Sequence, residues 1–201
     1  LAQAVTQLYP DAKPTIGPPI EHGFYYDFAM DPIGDEELRQ IEKRMKELVK
    51  QNIPIEREEL DNESLRDIFS SNPFKLEIMD EKIGHDVGSS AYRQGDFIDL
   101  CKGPHVALTS QLRWFKLTST SQAYWRADKD RESLVRIYGM CYPSKDGLKE
   151  RERQIQEAAM RDHKKIGKEM GLYMINEMIG KGLPVWLPYG EVLKSEIENF
   201  P

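Results

Sequence analysis

IGPPIEHGFYYDF, residues 16–28, is the stretch on which the fold reading turns. From Thr15 to Phe28 it reads as a hairpin. Ile16 and Ile20 flank Gly17-Pro18-Pro19, and Glu21-His22-Gly23 makes the turn, where Gly23 is free to take positive φ. Beyond the turn, Phe24, Tyr26 and Phe28 share one strand face and Tyr25 and Asp27 the other.

Working outward, Leu1, Val5 and Leu8 form a helical stripe with Gln3 on the opposite face, and Pro10 ends it. Asp35 is the expected N-cap of DEELRQIEKRMKELVKQ, whose buried stripe is Leu38, Ile41, Met45, Leu48 and Val49. Pro54 closes that helix, and a short one follows, capped by Asp61 and burying Leu65, Ile68 and Phe69. Phe74 to Asp80 alternates, with Phe74, Leu76 and Ile78 against Lys75 and Glu77, which predicts a strand. Strands are also expected at Phe97–Cys101, Leu112–Leu117, Ala123–Arg126 and Leu134–Tyr142. Lys145 to about Met170 predicts one long connecting helix, with Leu148, Ile155, Ala159 and Ile166 aligned. Gly180-Lys181-Gly182 breaks it, and GLPVWLPYG and a short helix finish the chain. The expected class is α+β: a mainly antiparallel sheet with flanking helices, followed by the connecting helix.

Composition bounds the function. The 201 residues are 39% hydrophobic and 31% charged, an ordinary globular balance. No apolar run reaches the roughly 18–20 residues of a membrane span. Two cysteines fit no disulfide framework and suit a reducing cytosol, so a cytoplasmic protein is expected. The net charge of −6 argues against indiscriminate nucleic-acid binding. The charge is unevenly spread: 13 acids against 7 bases over Asp27–Asp67, but 6 bases against 3 acids over Leu112–Arg136 and 8 against 5 over Lys145–Lys168. The chain starts and stops within amphipathic sequence, so a piece of a longer polypeptide is expected.

The chemistry concentrates in Asp99-Leu100-Cys101-Lys102-Gly103-Pro104-His105. Alternation puts Asp99 and Cys101 on one face, and the Gly103-Pro104 turn can swing His105 back toward Cys101. Four readings stay open on the residues alone: a thiol nucleophile activated by His105, two ligands of a zinc site, a water-positioning group, or a small buried cysteine beside a loop histidine. His22 reads as a turn residue, His85 as a loop histidine, His163 as part of a solvated helix face and Cys141 as core. No second ligand pair at metal spacing accompanies Cys101 and His105. Lys75 either faces solvent or stabilises an anion. No phosphate loop, dinucleotide fingerprint, nucleophile elbow or H-E-x-x-H occurs, so no ATP, dinucleotide or other cofactor is expected.

IGPPIEHGFYYDF, DLCKGPH, AYWRAD, RIYGMCYP and RDHKKIGKEMGLY, in this order, resemble the N-terminal editing domain of threonyl-tRNA synthetases, which alanyl-tRNA editing proteins share. GLPVWLPYGEVLKSEIENF resembles the opening of the same family's class II catalytic domain. The resemblance implies an editing domain over residues 1–143, a connecting helix over 144–170 and an incomplete catalytic domain over 171–201. It implies hydrolysis of serine mischarged onto threonine tRNA, because one methyl discriminates by only about 1–3 kcal/mol and a second sieve is needed. The implied alternatives are a catalytically silent tRNA-binding spacer and a zinc-dependent free-standing deacylase. The family's pocket combines an H-x-x-x-H pair, a lysine, an aspartate and a C-x-x-x-H pair. Lys75, Asp99, Cys101 and His105 stand in the matching positions, and Tyr25 or Tyr26 lines the pocket. Gln3 aligns with the second histidine of H-x-x-x-H, a departure that favours positioning water over binding zinc; His22 departs from the family's turn asparagine. The implied partners are the 3′ end of threonine tRNA and the rest of the synthetase, with dimerisation only through the catalytic core.

Overall fold

The computed structural model describes residues 1–82, 89–176, 178–180 and 182–200. It divides into two units, Leu1–Leu148 and Lys149–Pro201. The first opens with α1 (Ala2–Leu8), β1 (Lys13–Pro14), β2 (Pro19–Ile20), β3 (Gly23–Ala29) and α2 (Asp35–Lys50). It continues through β4 (Ile55–Leu60), α3 (Asn62–Ile68), α4 (Pro73–Lys82), β5 (Ser89–Gln94), β6 (Phe97–Leu100), β7 (Trp114–Tyr124) and β8 (Ser133–Tyr142). α5 (Lys145–Met160) follows. The α+β class and the antiparallel pairing hold.

One sheet runs in the order β1-β3-β8-β7, with β2 also on β3; the other runs β4-β5-β6. The expected hairpin is present, with Pro19 opposite Phe24 and Ile20 opposite Gly23. Phe28, fully buried, joins Ile137, Val135, Leu117 and Phe115 beneath α1 and α2, with Phe24 and Tyr26 packed alongside. Each such side chain removed from water contributes about 1.5–3 kcal/mol. In α2, Leu38, Ile41, Met45 and Leu48 are buried as the period predicts. Its cap is Gly34 rather than Asp35: the Gly34 amide donates to the Glu37 carboxylate at 3.0 Å, so Asp35 becomes the first helical residue. Asp61 caps α3 as expected, accepting from the Ser64 amide at 2.8 Å.

Several expectations fail for physical reasons. Phe74–Asp80 is helical, not a strand. Phe74 and Ile78 pack with Trp125 and Leu134 on the first sheet, while Leu76 and Met79 pack with Leu65, Ala91, Ile98 and Leu100 on the second. A helix buried on two opposite sides mimics strand alternation. The two strands expected at Leu112–Leu117 and Ala123–Arg126 are one, β7, with a register shift between Leu117 and Ser119; past Tyr124 the chain turns 3₁₀. The long connecting helix is interrupted at Asp162, whose carboxylate caps a new helix by accepting from the Lys164 amide at 2.9 Å. Leu8, Ile68 and Ile155 are exposed rather than buried, and Cys141 is exposed rather than core. Gln3 is buried, not projecting.

The second unit contains the rest of α5, α6 (His163–Glu169), β9 (Tyr173–Ile175), β10 (Pro184–Trp186) and α7 (Pro188–Glu198). β9 and β10 form an antiparallel pair on which Tyr173 and Trp186 meet edge to face at 6.0 Å. Tyr189, Val192, Ile197 and Phe200 are all exposed there. Among the described residues, no helix is long and apolar enough to cross a membrane.

Candidate active site

Three segments distant in sequence bring the chemistry together. The first is the start of α4. Asn72 precedes Pro73, which sits at a position where its missing N–H is no loss. The Asn72 side-chain oxygen accepts from the amides of Phe74 and Lys75 at 3.1 and 3.3 Å, and its amide donates to the Pro14 carbonyl at 2.8 Å. The helix start is thereby fixed to β1. Lys75, one turn in, is 3% exposed. It is carried by a helix rather than by the sheet the alternation predicts.

Buried, its ammonium needs partners. Lys75 Nζ lies 2.5 Å from Asp99 Oδ1 and donates to the Tyr26 hydroxyl at 3.1 Å. Tyr26 in turn donates to the other Asp99 oxygen, closing a three-membered ring of charge-assisted bonds. The Leu100 amide adds a further donor to Asp99 at 2.8 Å. Burial, and then the Asp99 charge, push the Tyr26 phenol well above its ordinary range, so it stays protonated at neutral pH and acts as a donor.

Asp99 belongs to β6, opposite Tyr92 of β5. Ile98 and Leu100 point into the α3–α4 cluster and Phe97 into the first core, so the alternation read from sequence is correct and Asp99 turns toward Tyr26. Cys101 follows the strand's end, its amide bonded to the Ser90 carbonyl at 3.2 Å. The chain then reverses through Gly103, at φ +72°, and a cis Gly103-Pro104 peptide. A Cβ at Gly103 would lie 1.9 Å from the Tyr92 hydroxyl oxygen, so only glycine fits. The reversal returns His105 to Cys101: Nε2 sits 3.0 Å from Sγ, and the Gly103 amide donates to the same sulfur at 3.3 Å. The imidazole also rests on the Tyr92 ring at 4.3 Å between centroids. Burial lowers the His105 pKa, opposed more weakly by the Asp99 charge, so at neutral pH the ring is uncharged.

The five residues therefore form two groups that adjoin along the chain between Asp99 and Cys101: a buried Lys75–Asp99–Tyr26 ring and a Cys101–His105 pair on an exposed turn. Asp99 bonds Lys75, Tyr26 and the Leu100 amide. Tyr25 lies elsewhere. Its ring, on the opposite face of β3, carries the Arg136 guanidinium at 3.9 Å and meets Tyr138 at 5.8 Å. Gln3 is held by Gln94, donating to its carbonyl at 3.0 Å and accepting from its side-chain amide. Tyr92 is the residue that sequence reading misses; only the β5–β6 register brings it to His105 and Gly103. His22 and His163 are exposed near Glu21 and Asp162, and His85 falls outside the described residues. A shallow hollow of about 430 Å³ lined by Arg57, Leu60, Ser89 and Ser90 is separate from these side chains. Among the described residues, no three His, Cys, Asp or Glu side chains are grouped to hold a metal ion.

Residues 90–138, which include Asp99, Cys101 and His105, match the family described as the threonyl and alanyl tRNA synthetase second additional domain. The entire chain is 45% identical to the threonine–tRNA ligase of Rubrobacter xylanophilus, covering 31% of that protein. It is 46% identical to the ligase of Dehalococcoides mccartyi, covering 34%, and 45% identical to that of Staphylococcus epidermidis, covering 31%. It thus spans about a third of the length of the curated relatives it matches. With similarity running from one end to the other, the chain belongs to the threonyl-tRNA synthetase family.

Proposed function

We propose that this chain hydrolyses the ester between serine and the 3′-terminal adenosine of a threonine tRNA. The observation that carries the reading is the placing of His105 against Cys101, two residues beyond the Asp99 that anchors the buried Lys75–Tyr26–Asp99 ring. A neutral imidazole at an exposed turn can take a proton from water as the water oxygen attacks the seryl carbonyl carbon. The tetrahedral oxyanion then collapses, the bond to the ribose oxygen breaks, and His105 returns the proton to that oxygen. Serine and free tRNA are released.

Within this scheme Cys101 anchors the imidazole instead of forming an acyl-enzyme, since its sulfur already meets Nε2 and the Gly103 amide. Lys75 supplies positive potential beside the ester, and Asp99 and Tyr26 hold it there. Threonine tRNA and the remainder of the synthetase are the partners of this reading, and tRNA affinity should fall with added salt.

Incubating the chain with seryl-tRNA of threonine specificity tests it. Serine release by the wild type, lost in His105→Ala and Cys101→Ala, is the expected result. Binding of the tRNA with its ester left intact overturns the hydrolytic reading in favour of a spacer.

A further inference from the structure

The tip of the β7–β8 hairpin is tied to the helix that carries Lys75. Trp125, 2% exposed, packs edge to face on Phe74 at 5.1 Å and donates its indole N–H to both Glu77 oxygens, at 3.0 and 3.1 Å. Arg131 clamps the same carboxylate with two parallel bonds of 2.9 and 2.6 Å. Phe74 and Glu77 bracket Lys75 on α4. The carboxylate accepts from an indole and a guanidinium fork at once, far more than a surface acid requires. These donors, Arg131 first, lower its pKa to about 2, so it is charged at neutral pH. Asn72 fixes the start of α4 along the chain, and apolar packing on its two opposed sides limits its rotation without supplying a directional bond near Lys75. Glu77 is the second fixed point.

We propose that Glu77 is a positioning residue: with Trp125 and Arg131 it sets the rotation of α4 that holds the Lys75 ammonium on Asp99 and Tyr26. The inference rests on the ester-hydrolysis reading for its kinetic consequence, but its geometric content stands separately. Glu77 touches neither Asp99 nor His105, so its effect on the reaction must pass through Lys75.

Two measurements decide it. In the first, serine release is compared for wild type, Glu77→Ala, Lys75→Ala and the double variant. Glu77→Ala lowers kcat about tenfold at unchanged KM, Glu77→Gln restores it to within about threefold, and Glu77→Ala has no further effect once Lys75 is alanine. Independent, multiplying losses in the double variant overturn the proposal. The second is acetylation of Lys75 by acetic anhydride, quantified by peptide mass spectrometry in folded protein. Labelling rises at least about tenfold in Glu77→Ala and stays near wild type in Glu77→Gln, as expected if freeing α4 exposes the amine. Unchanged labelling in Glu77→Ala overturns the proposal. A wild type that releases no serine sinks the hydrolytic reading alone, and the labelling comparison then decides the tie.

Discussion

Replacing Asp99 by asparagine should destabilise the first unit strongly, because Lys75 has almost nowhere else to put its charge. Lys75 is 3% exposed, and its ammonium has two partners: the Asp99 carboxylate at 2.5 Å and the Tyr26 hydroxyl at 3.1 Å. Removing one member of a buried ion pair costs about 3–5 kcal/mol, most of it the desolvation of the charge left behind. Asparagine still offers an oxygen to the Leu100 amide and the Tyr26 hydroxyl, so about 3 kcal/mol is expected. In a chain of this size that lowers the melting temperature by about 6–12 °C. Lys75→Met should cost less, about 1–2 kcal/mol, because Asp99 keeps its Tyr26 and Leu100 donors and its side chain is 17% exposed to water. The assay is thermal unfolding followed by tryptophan fluorescence in a Trp186→Phe background, which leaves Trp114 and Trp125 of the first unit as reporters. The ordering of the two variants matters more than either value. A shift below about 2 °C for Asp99→Asn, or a larger loss for Lys75→Met, would refute the argument that a desolvated ammonium dominates this site.

Two more expectations follow from the Cys101–His105 turn. Because the folded protein holds the His105 pKa below 6.5, serine release should rise with pH through an apparent value under 6.5 and level off at neutrality, and a rise centred above 6.5 would exclude His105 as the base. The same shift makes the unfolded chain the better proton acceptor, so this residue's contribution to stability declines as pH falls from 6.5 through the folded pKa, which a series of denaturation midpoints reads directly. Gly103→Ala puts a side chain at φ +72° and 1.9 Å from the Tyr92 oxygen, so it should cost about 1–3 kcal/mol and detach His105 from Cys101; an unchanged melting temperature would contradict it.

What was legible in the sequence was local. Period-2 alternation put Phe24, Tyr26 and Phe28 on one face and turned Asp99 away from Ile98 and Leu100, and the fold keeps both assignments. The glycine-proline turn foretold the return of His105 to Cys101. What was not legible depends on register across long stretches of chain. Tyr92 has no motif of its own, and only its pairing with Asp99 brings it under the imidazole. Choosing Tyr26 over Tyr25 needed the knowledge of which β3 face meets Lys75. Gln3 sits in a helix whose small residues, Ala2 and Ala4, are buried along with Val5; the hydrophobic stripe alone hid that, and Gln94 takes up its amide.

The misreading of Phe74–Asp80 shares its cause with the burial of Lys75. Residues 74 and 78 lie about 40° apart on a helix, 76 and 79 about 60° apart, and 74 and 76 about 200° apart. A helix with apolar groups on two opposed sides therefore shows the alternation of a strand while lacking the single stripe by which amphipathic helices are recognised. Such a helix must bridge two cores, and α4 does so: Phe74 and Ile78 join the cluster on the first sheet, Leu76 and Met79 the cluster on the second. Lys75, between them in sequence, is carried inward and meets Asp99 from one sheet and Tyr26 from the other. The Asn72-Pro73 pair was the available counter-signal, an N-cap followed by a proline at the first helical position. The strand reading would have left the lysine in water. A helix joining two sheets sequesters a charge that a single sheet face would have exposed, and local rules give way where a buried charged group is held in place.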